Sequence, residues 1–209
     1  MASHMSDSPI EFFYDLVSPY SHFAAHTIDA LAERTGRSVR WRAFFLGGVL
    51  RSSGNQAPAT VPAKGRYLAA DFRRESARLG VPFQFHPGFP MNTLTLMRGL
   101  SALEERQPDV LPGLVPDLFS ALWVENREAT DLSAFADVFA HHGVDPARFA
   151  ADAADPRNKQ RLKDASDEAV ARGAFGAPTF FVDERMWWGH DRMGQLAWWL
   201  EGANPPSAT

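Results

Sequence analysis

A buried strand that breaks straight into a proline-started helix limits what this chain can fold into more than any other feature. Ile10 to Val17 is a short apolar run bounded by Pro9 and Ser18-Pro19, with the length and flanks of a buried strand. Ser18-Pro19 opens a helix, because serine is a favoured N-cap and proline fits the first turn, where its missing N–H costs nothing. That helix runs to about Arg34 and closes at Gly36, a good residue just past a helix end. Ser38 to Leu46 carries Val39, Trp41, Ala43 and Phe45 in alternation and reads as a second strand. The chain therefore begins strand, helix, strand.

The middle is helical. Helices are predicted over Lys64 to Leu79, Leu94 to Arg106, Leu114 to Arg127, Leu132 to His142 and Arg157 to Arg172. Asp155-Pro156 starts the last of these and Gly173 ends it. The chain then returns to strand: Thr179 to Val182 and Arg185 to Trp188 flank Asp183-Glu184 as a hairpin. A final helix spans His190 to Leu200, with Asp191 as its N-cap. This order predicts an α/β thioredoxin-like fold, βαβ…ββα, with a large all-helical insertion. Residues 8–47 and 174–202 form the thioredoxin-like domain and residues 60–173 the insertion, of ordinary subdomain size. Met1-Ala2-Ser3-His4-Met5 reads as an expression scar, and residues 1–7 as a flexible start outside the fold. The proline-containing tail from Gly202 to Thr209 reads as disordered.

Composition removes several function classes. Lys and Arg total 21 against 25 Asp and Glu, a net charge of −4 with no long basic run, so the electrostatic footprint of a nucleic-acid binder is missing. No apolar stretch approaches the ~20 residues that span a bilayer. There is no cysteine, which rules out disulfides, thiolate metal sites, a protein thiol nucleophile and disulfide-exchange chemistry at once, and fits a reducing, cytoplasmic setting. His22 and His26 stand one helical turn apart, yet nothing in the sequence supplies a third ligand, and His141-His142 before Gly143 sit at a helix end, where a cation suits the dipole. No metal site is expected, and no G-x-S-x-G, P-loop or dinucleotide fingerprint occurs.

What remains is concentrated in a few places. Ser18-Pro19-Tyr20-Ser21 lies where thiol oxidoreductases carry Cys-Pro-X-Cys, because a helix N-terminus lowers a thiol pKa. With serine in both cysteine positions, the chain cannot supply a thiolate but can bind one carried by a ligand; the plainer reading is that Ser18 only caps a helix. Ala177-Pro178, just before the returning strand, is predicted to be a cis peptide facing that helix start, with the Ala177 backbone open to a peptide-like ligand; an ordinary turn is the plainer reading. The Asp191 carboxylate can hold an ammonium group and His190 a carboxylate, or Asp191 can merely cap a helix. Ser53-Gly54-Asn55-Gln56 is a polar loop after the second strand. Most tryptophans belong to a core, and Trp187 or Trp188 can wall an aromatic pocket.

Phe13-Tyr14-Asp15-Leu16-Val17-Ser18-Pro19-Tyr20-Ser21, Gly54-Asn55 with Lys64-Gly65-Arg66-Tyr67, Gly173-Ala174-Phe175-Gly176-Ala177-Pro178, and Met186-Trp187-Trp188-Gly189-His190-Asp191-Arg192 together resemble one family. It is the 2-hydroxychromene-2-carboxylate isomerase family, with its kappa-class glutathione transferase relatives within a DsbA-like superfamily. The likeness spans residues 9 to 201. It implies glutathione as cofactor, with Ser18 the catalytic contact to its sulfur and Asn55, Ala177, Pro178, His190 and Asp191 at glutathione-binding positions. It also implies a small aromatic or chromene-type carboxylate substrate from aromatic catabolism, near Tyr20, Arg51, Trp187 and Trp188, and a homodimer. The isomerase lysine that meets the substrate carboxylate aligns with Leu50, with Arg51 next, and an Asn-Arg pair in the following loop is unmatched. Two further functions stay open: a transferase that consumes glutathione, and a non-catalytic thioredoxin-fold binding module.

Overall fold

The structure, a computed structural model, describes residues 8–202. The expectations for Met1 to Met5 and for the tail beyond Gly202 lie outside the described residues. Four strands form one mixed sheet in the order β2-β1-β3-β4: β1 (Ile10–Tyr14), β2 (Val39–Ala43), β3 (Thr179–Val182) and β4 (Arg185–Trp188). β1 runs parallel to β2 and antiparallel to β3, and β3 pairs antiparallel with β4. β1 is central and covered on both faces, as its nearly unbroken apolar sequence requires. One face carries Phe12, which meets Trp41 and stacks on Phe180 at 5.2 Å; the other carries Phe13 against Phe44 and Phe181.

The first strand stops three residues short of the expected Val17. The Asp15 side chain accepts the Val17 N–H and turns the backbone out of the ladder. The expected single helix after Ser18 is two, α1 (Pro19–Ala25) and α2 (Ile28–Thr35). Between them the His26 ring bonds the His22 carbonyl and Thr27 Oγ1 donates to the Phe23 carbonyl, so side chains take acceptors that a continuous helix would use. Gly36 ends α2 at φ +65°, the left-handed position expected of it.

Between β2 and β3 the chain is helical: α3 (Leu46–Ser52), α4 (Pro62–Leu79), α5 (Leu94–Arg106), α6 (Leu111–Trp123), α7 (Ala136–His141), α8 (Pro146–Ala154) and α9 (Pro156–Ala171). α3 starts at Leu46, the expected end of the second strand, and fills the stretch before the polar loop that begins at Ser53. α8 was not expected, although Asp145-Pro146 repeats the Asp155-Pro156 signal; both aspartates accept the N–H two residues on. The expected helix from Leu132 begins instead as a 3-10 turn, Leu132–Phe135, before α7. After the β3–β4 hairpin, whose turn holds Asp183 at φ +52°, a 3-10 turn His190–Arg192 leads into α10 (Met193–Leu200). Asp191 lies inside that turn and makes no capping bond, because α10 begins only at Met193.

Candidate active site

The site is built on the loop between β1 and α1, which the Asp15 carboxylate and the Trp123 indole fix. Asp15, fully buried, accepts from Val17 N–H at 3.1 Å, from Thr93 Oγ1 at 2.7 Å and from the Leu46 N–H at 2.9 Å. The Trp123 indole N–H donates to the Leu16 carbonyl at 2.9 Å. One carboxylate therefore ties the loop to the starts of α3 and α5. Burial raises the Asp15 pKa, and the Leu46, Thr93 and Val17 donors oppose that rise by stabilising the anion.

Ser18 stands at the end of this loop with extended backbone and 4% exposure. Its Oγ accepts the Ser21 N–H at 3.1 Å, the bond of an N-cap, and donates to the Ala177 carbonyl at 3.2 Å. The Ala177-Pro178 peptide is cis, as expected from the sequence. One hydroxyl thus caps α1 and joins it to a loop 159 residues away. Among the described residues, the Tyr20 and Ala177 N–H groups have no partner in the chain, and the buried Ser21 hydroxyl has none either. The two N–H groups beside the Ser18 hydroxyl are donors of the kind a helix start offers an anion, whereas the Ser21 hydroxyl is fully buried.

A second set of contacts holds the rim. Tyr20 stacks on His190 with centroids 4.8 Å apart and planes within 10°, and its hydroxyl donates to Asp71 at 2.8 Å. His190 Nε2 lies 2.8 Å from Glu75 Oε2. Asp71 and Glu75 stand one turn apart on α4, and each is also paired with the arginine three residues on, Arg74 and Arg78. Burial, then Asp71, pushes the Tyr20 hydroxyl pKa up; the Arg78 hydrogen bond above all, with His190, holds Glu75 down at about 2. Asn55 Nδ2 donates to the Phe175 carbonyl at 2.9 Å, tying the loop after α3 to the cis-proline loop. Asp191 is exposed and pairs with Arg192.

Ser18, Tyr20, Asn55, Ala177, Pro178 and His190 thus fall into one connected group, with Asp191 beside His190. Strand alternation separates the two tryptophans. Trp187 packs in the core against Trp199, whereas Trp188 is 43% exposed and 4.7 Å from Phe175. Gly176 admits the Trp188 ring, since a Cβ there would lie 2.5 Å from its Nε1. Arg51 lines a different depression of about 400 Å³, between α3, α5 and α9, with Arg98, Lys159 and Lys163. Asp15, Asp71 and Glu75 are the residues that sequence reasoning missed. The i, i+3 pairing of the α4 acids with arginines was visible but is indistinguishable from a solvated helix face.

The model of the DSBA-like thioredoxin domain family matches residues 9–201. A 2-hydroxychromene-2-carboxylate isomerase of Sphingobium xenophagum is 28% identical over 196 residues, 91% of this chain and 97% of that protein. Glutathione S-transferase kappa 1 of Homo sapiens is 28% identical over 200 residues, 90% of this chain and 88% of that protein. A solved 2-hydroxychromene-2-carboxylate isomerase superposes with a TM-score of 0.83 at 26% identity, covering 92% of this chain and 94% of that one.

Proposed function

The chain belongs to the DSBA-like thioredoxin domain family, among the 2-hydroxychromene-2-carboxylate isomerases and kappa-class glutathione transferases, and from that premise we propose that it is a glutathione-dependent isomerase of the 2-hydroxychromene-2-carboxylate type. The observation that carries the reading is the Ser18 hydroxyl, 3.2 Å from the Ala177 carbonyl, in a chain with no cysteine. Bound glutathione would supply the thiol nucleophile that the chain lacks.

Each residue then has a physical task. Ser18 turns its hydroxyl from the Ala177 carbonyl to the ligand sulfur, favouring the thiolate by a charge-assisted hydrogen bond, and the open Tyr20 N–H adds a second donor. Ala177, held beside Pro178, pairs its backbone with the peptide portion of the ligand. Asp191 takes the ammonium group, and Asn55 fixes the facing loop. His190 and Tyr20, stacked and anchored to α4, keep the two walls in register. Trp188 offers an exposed ring to a planar substrate.

The test supplies the chain with 2-hydroxychromene-2-carboxylate and reduced glutathione and follows both. The expected result is isomerised product with glutathione recovered in full, and at least tenfold slower turnover for Ser18→Ala, a barrier change of ~1.4 kcal/mol or more. A fully active Ser18→Ala enzyme, or activity without glutathione, would refute the reading. Glutathione consumed in step with product would instead favour a kappa-type transferase, which the 28% identity to the human enzyme also supports.

A further inference from the structure

A second cluster of reactive side chains lies away from Ser18, where α6 passes the end of α7. Asp117 on α6, His141 in the last turn of α7 and His142 just after it bring one carboxylate oxygen and two imidazole nitrogens within 4.8 Å of one another. His142 Nε2 is 2.7 Å from Asp117 Oδ2, and the two histidine rings sit edge to face at 4.9 Å. Asp117 and His141 are exposed and His142 is half-buried.

The backbone shapes this cluster. Gly113, one helical turn before Asp117, lies under the His142 ring: a Cβ there would stand 2.8 Å from Cε1 and 3.1 Å from Nδ1, so a larger residue would push the imidazole away. The carbonyl end of α7 adds partial negative charge beside the histidines. Among the described residues, no lysine or arginine pairs with Asp117, so an incoming cation displaces none. Zinc bonds to imidazole nitrogen and carboxylate oxygen run to about 2.0–2.2 Å. Three ligand atoms that far from one ion stand about 3.4 Å apart in a tetrahedron, between the 2.7 Å and 4.8 Å separations seen here, and the exposed side leaves room for water as a further ligand.

We propose that Asp117, His141 and His142 form a binding site for a zinc-class divalent cation that ties α6 to the end of α7. Two imidazoles with one carboxylate select zinc and its late first-row neighbours over magnesium or calcium, which prefer all-oxygen shells.

The experiment titrates the full chain with zinc chloride by calorimetry, in a His4→Ala background so that the histidine near the chain start contributes nothing. One zinc per chain is expected, with no binding of magnesium. His141→Ala and Asp117→Asn should each weaken zinc by more than the ~10–100-fold typical of losing a supporting partner. Gly113→Ala should weaken it as well. Zinc should raise the melting temperature of the parent and leave that of His141→Ala unmoved, because only a ligand held by the folded state stabilises it. His141 is exposed, so its alanine variant should melt near the parent value without zinc, which separates lost binding from lost fold. Absence of stoichiometric zinc in the parent, or equal affinity in His141→Ala, overturns the proposal.

Discussion

The two sides of Ser18 are held by opposite means. On the inner side one buried carboxylate, Asp15, gathers two backbone N–H groups and a threonine hydroxyl from three elements. On the outer side the carboxylates of α4, Asp71 and Glu75, hold two stacked rings and are shared with exposed arginines. The two arrangements titrate in opposite senses: burial raises Asp15, and Arg78 with His190 lowers Glu75. Asp15 is fully buried, whereas the arginines that share Asp71 and Glu75 have side chains more than half exposed. The loop that carries Ser18 is thus pinned from the buried side, and the Tyr20–His190 wall is held by carboxylates shared with exposed arginines.

Three substitutions probe that contrast, in descending order of expected effect. Asp15→Ala strands two buried N–H groups and the Thr93 hydroxyl, so a loss of about 3–5 kcal/mol is expected in urea unfolding. A loss below about 1 kcal/mol would mean that water reaches this loop and that the inner side is no different from the outer. Tyr20→Phe removes only the bond to Asp71 and keeps the stack on His190; about 1 kcal/mol is expected from the same measurement. A cost matching that of Asp15→Ala would erase the distinction.

The smallest effect concerns acid. The folded-state pKa of Glu75, about 2, lies below its ordinary 4.5, so the stability this group adds is present above pH 4.5 and is lost as pH falls toward 2. Asp15 runs the other way: its raised pKa means its contribution is greatest below its ordinary 3.8 and fades as pH rises through the folded value. Glu75→Gln should therefore flatten the acid limb of the stability curve, by under about 1 kcal/mol because its arginine partner is exposed. An unchanged acid limb would show that the His190 contact is indifferent to the charge on Glu75.

The same contrast explains what was legible in the sequence. The frame of strands, the cis Ala177-Pro178 bond and the cap at Ser18 follow from local signals: apolar runs, X-Pro before a strand, Ser-Pro after one. That Trp187 and Trp188 turn opposite ways follows from strand periodicity, and the fold decides that Trp188 is the outer one. α3 was not legible because Leu46-Gly47-Gly48 is a poor helix start; the Leu46 N–H is satisfied by Asp15, 31 residues earlier. α8 carries a local start signal in Asp145-Pro146, the same as that of α9 in Asp155-Pro156. The role of Asp15 required the fold, since it lies inside the run read as strand and its partners Leu46 and Thr93 are 31 and 78 residues away. His190 looked like a ligand contact from its motif, and its partnership with Glu75 came only with the packing of α4.

The central claim is that Ser18 favours the thiolate of a bound glutathione. The direct measurement follows the ultraviolet absorption of that thiolate against pH, with the protein in excess over reduced glutathione, for the parent and for Ser18→Ala. In the parent the thiol of bound glutathione should titrate clearly below the ~8.5 of a free cysteine thiol, and in Ser18→Ala it should move back toward that value. Identical titrations with the parent, with Ser18→Ala and without protein would contradict the account.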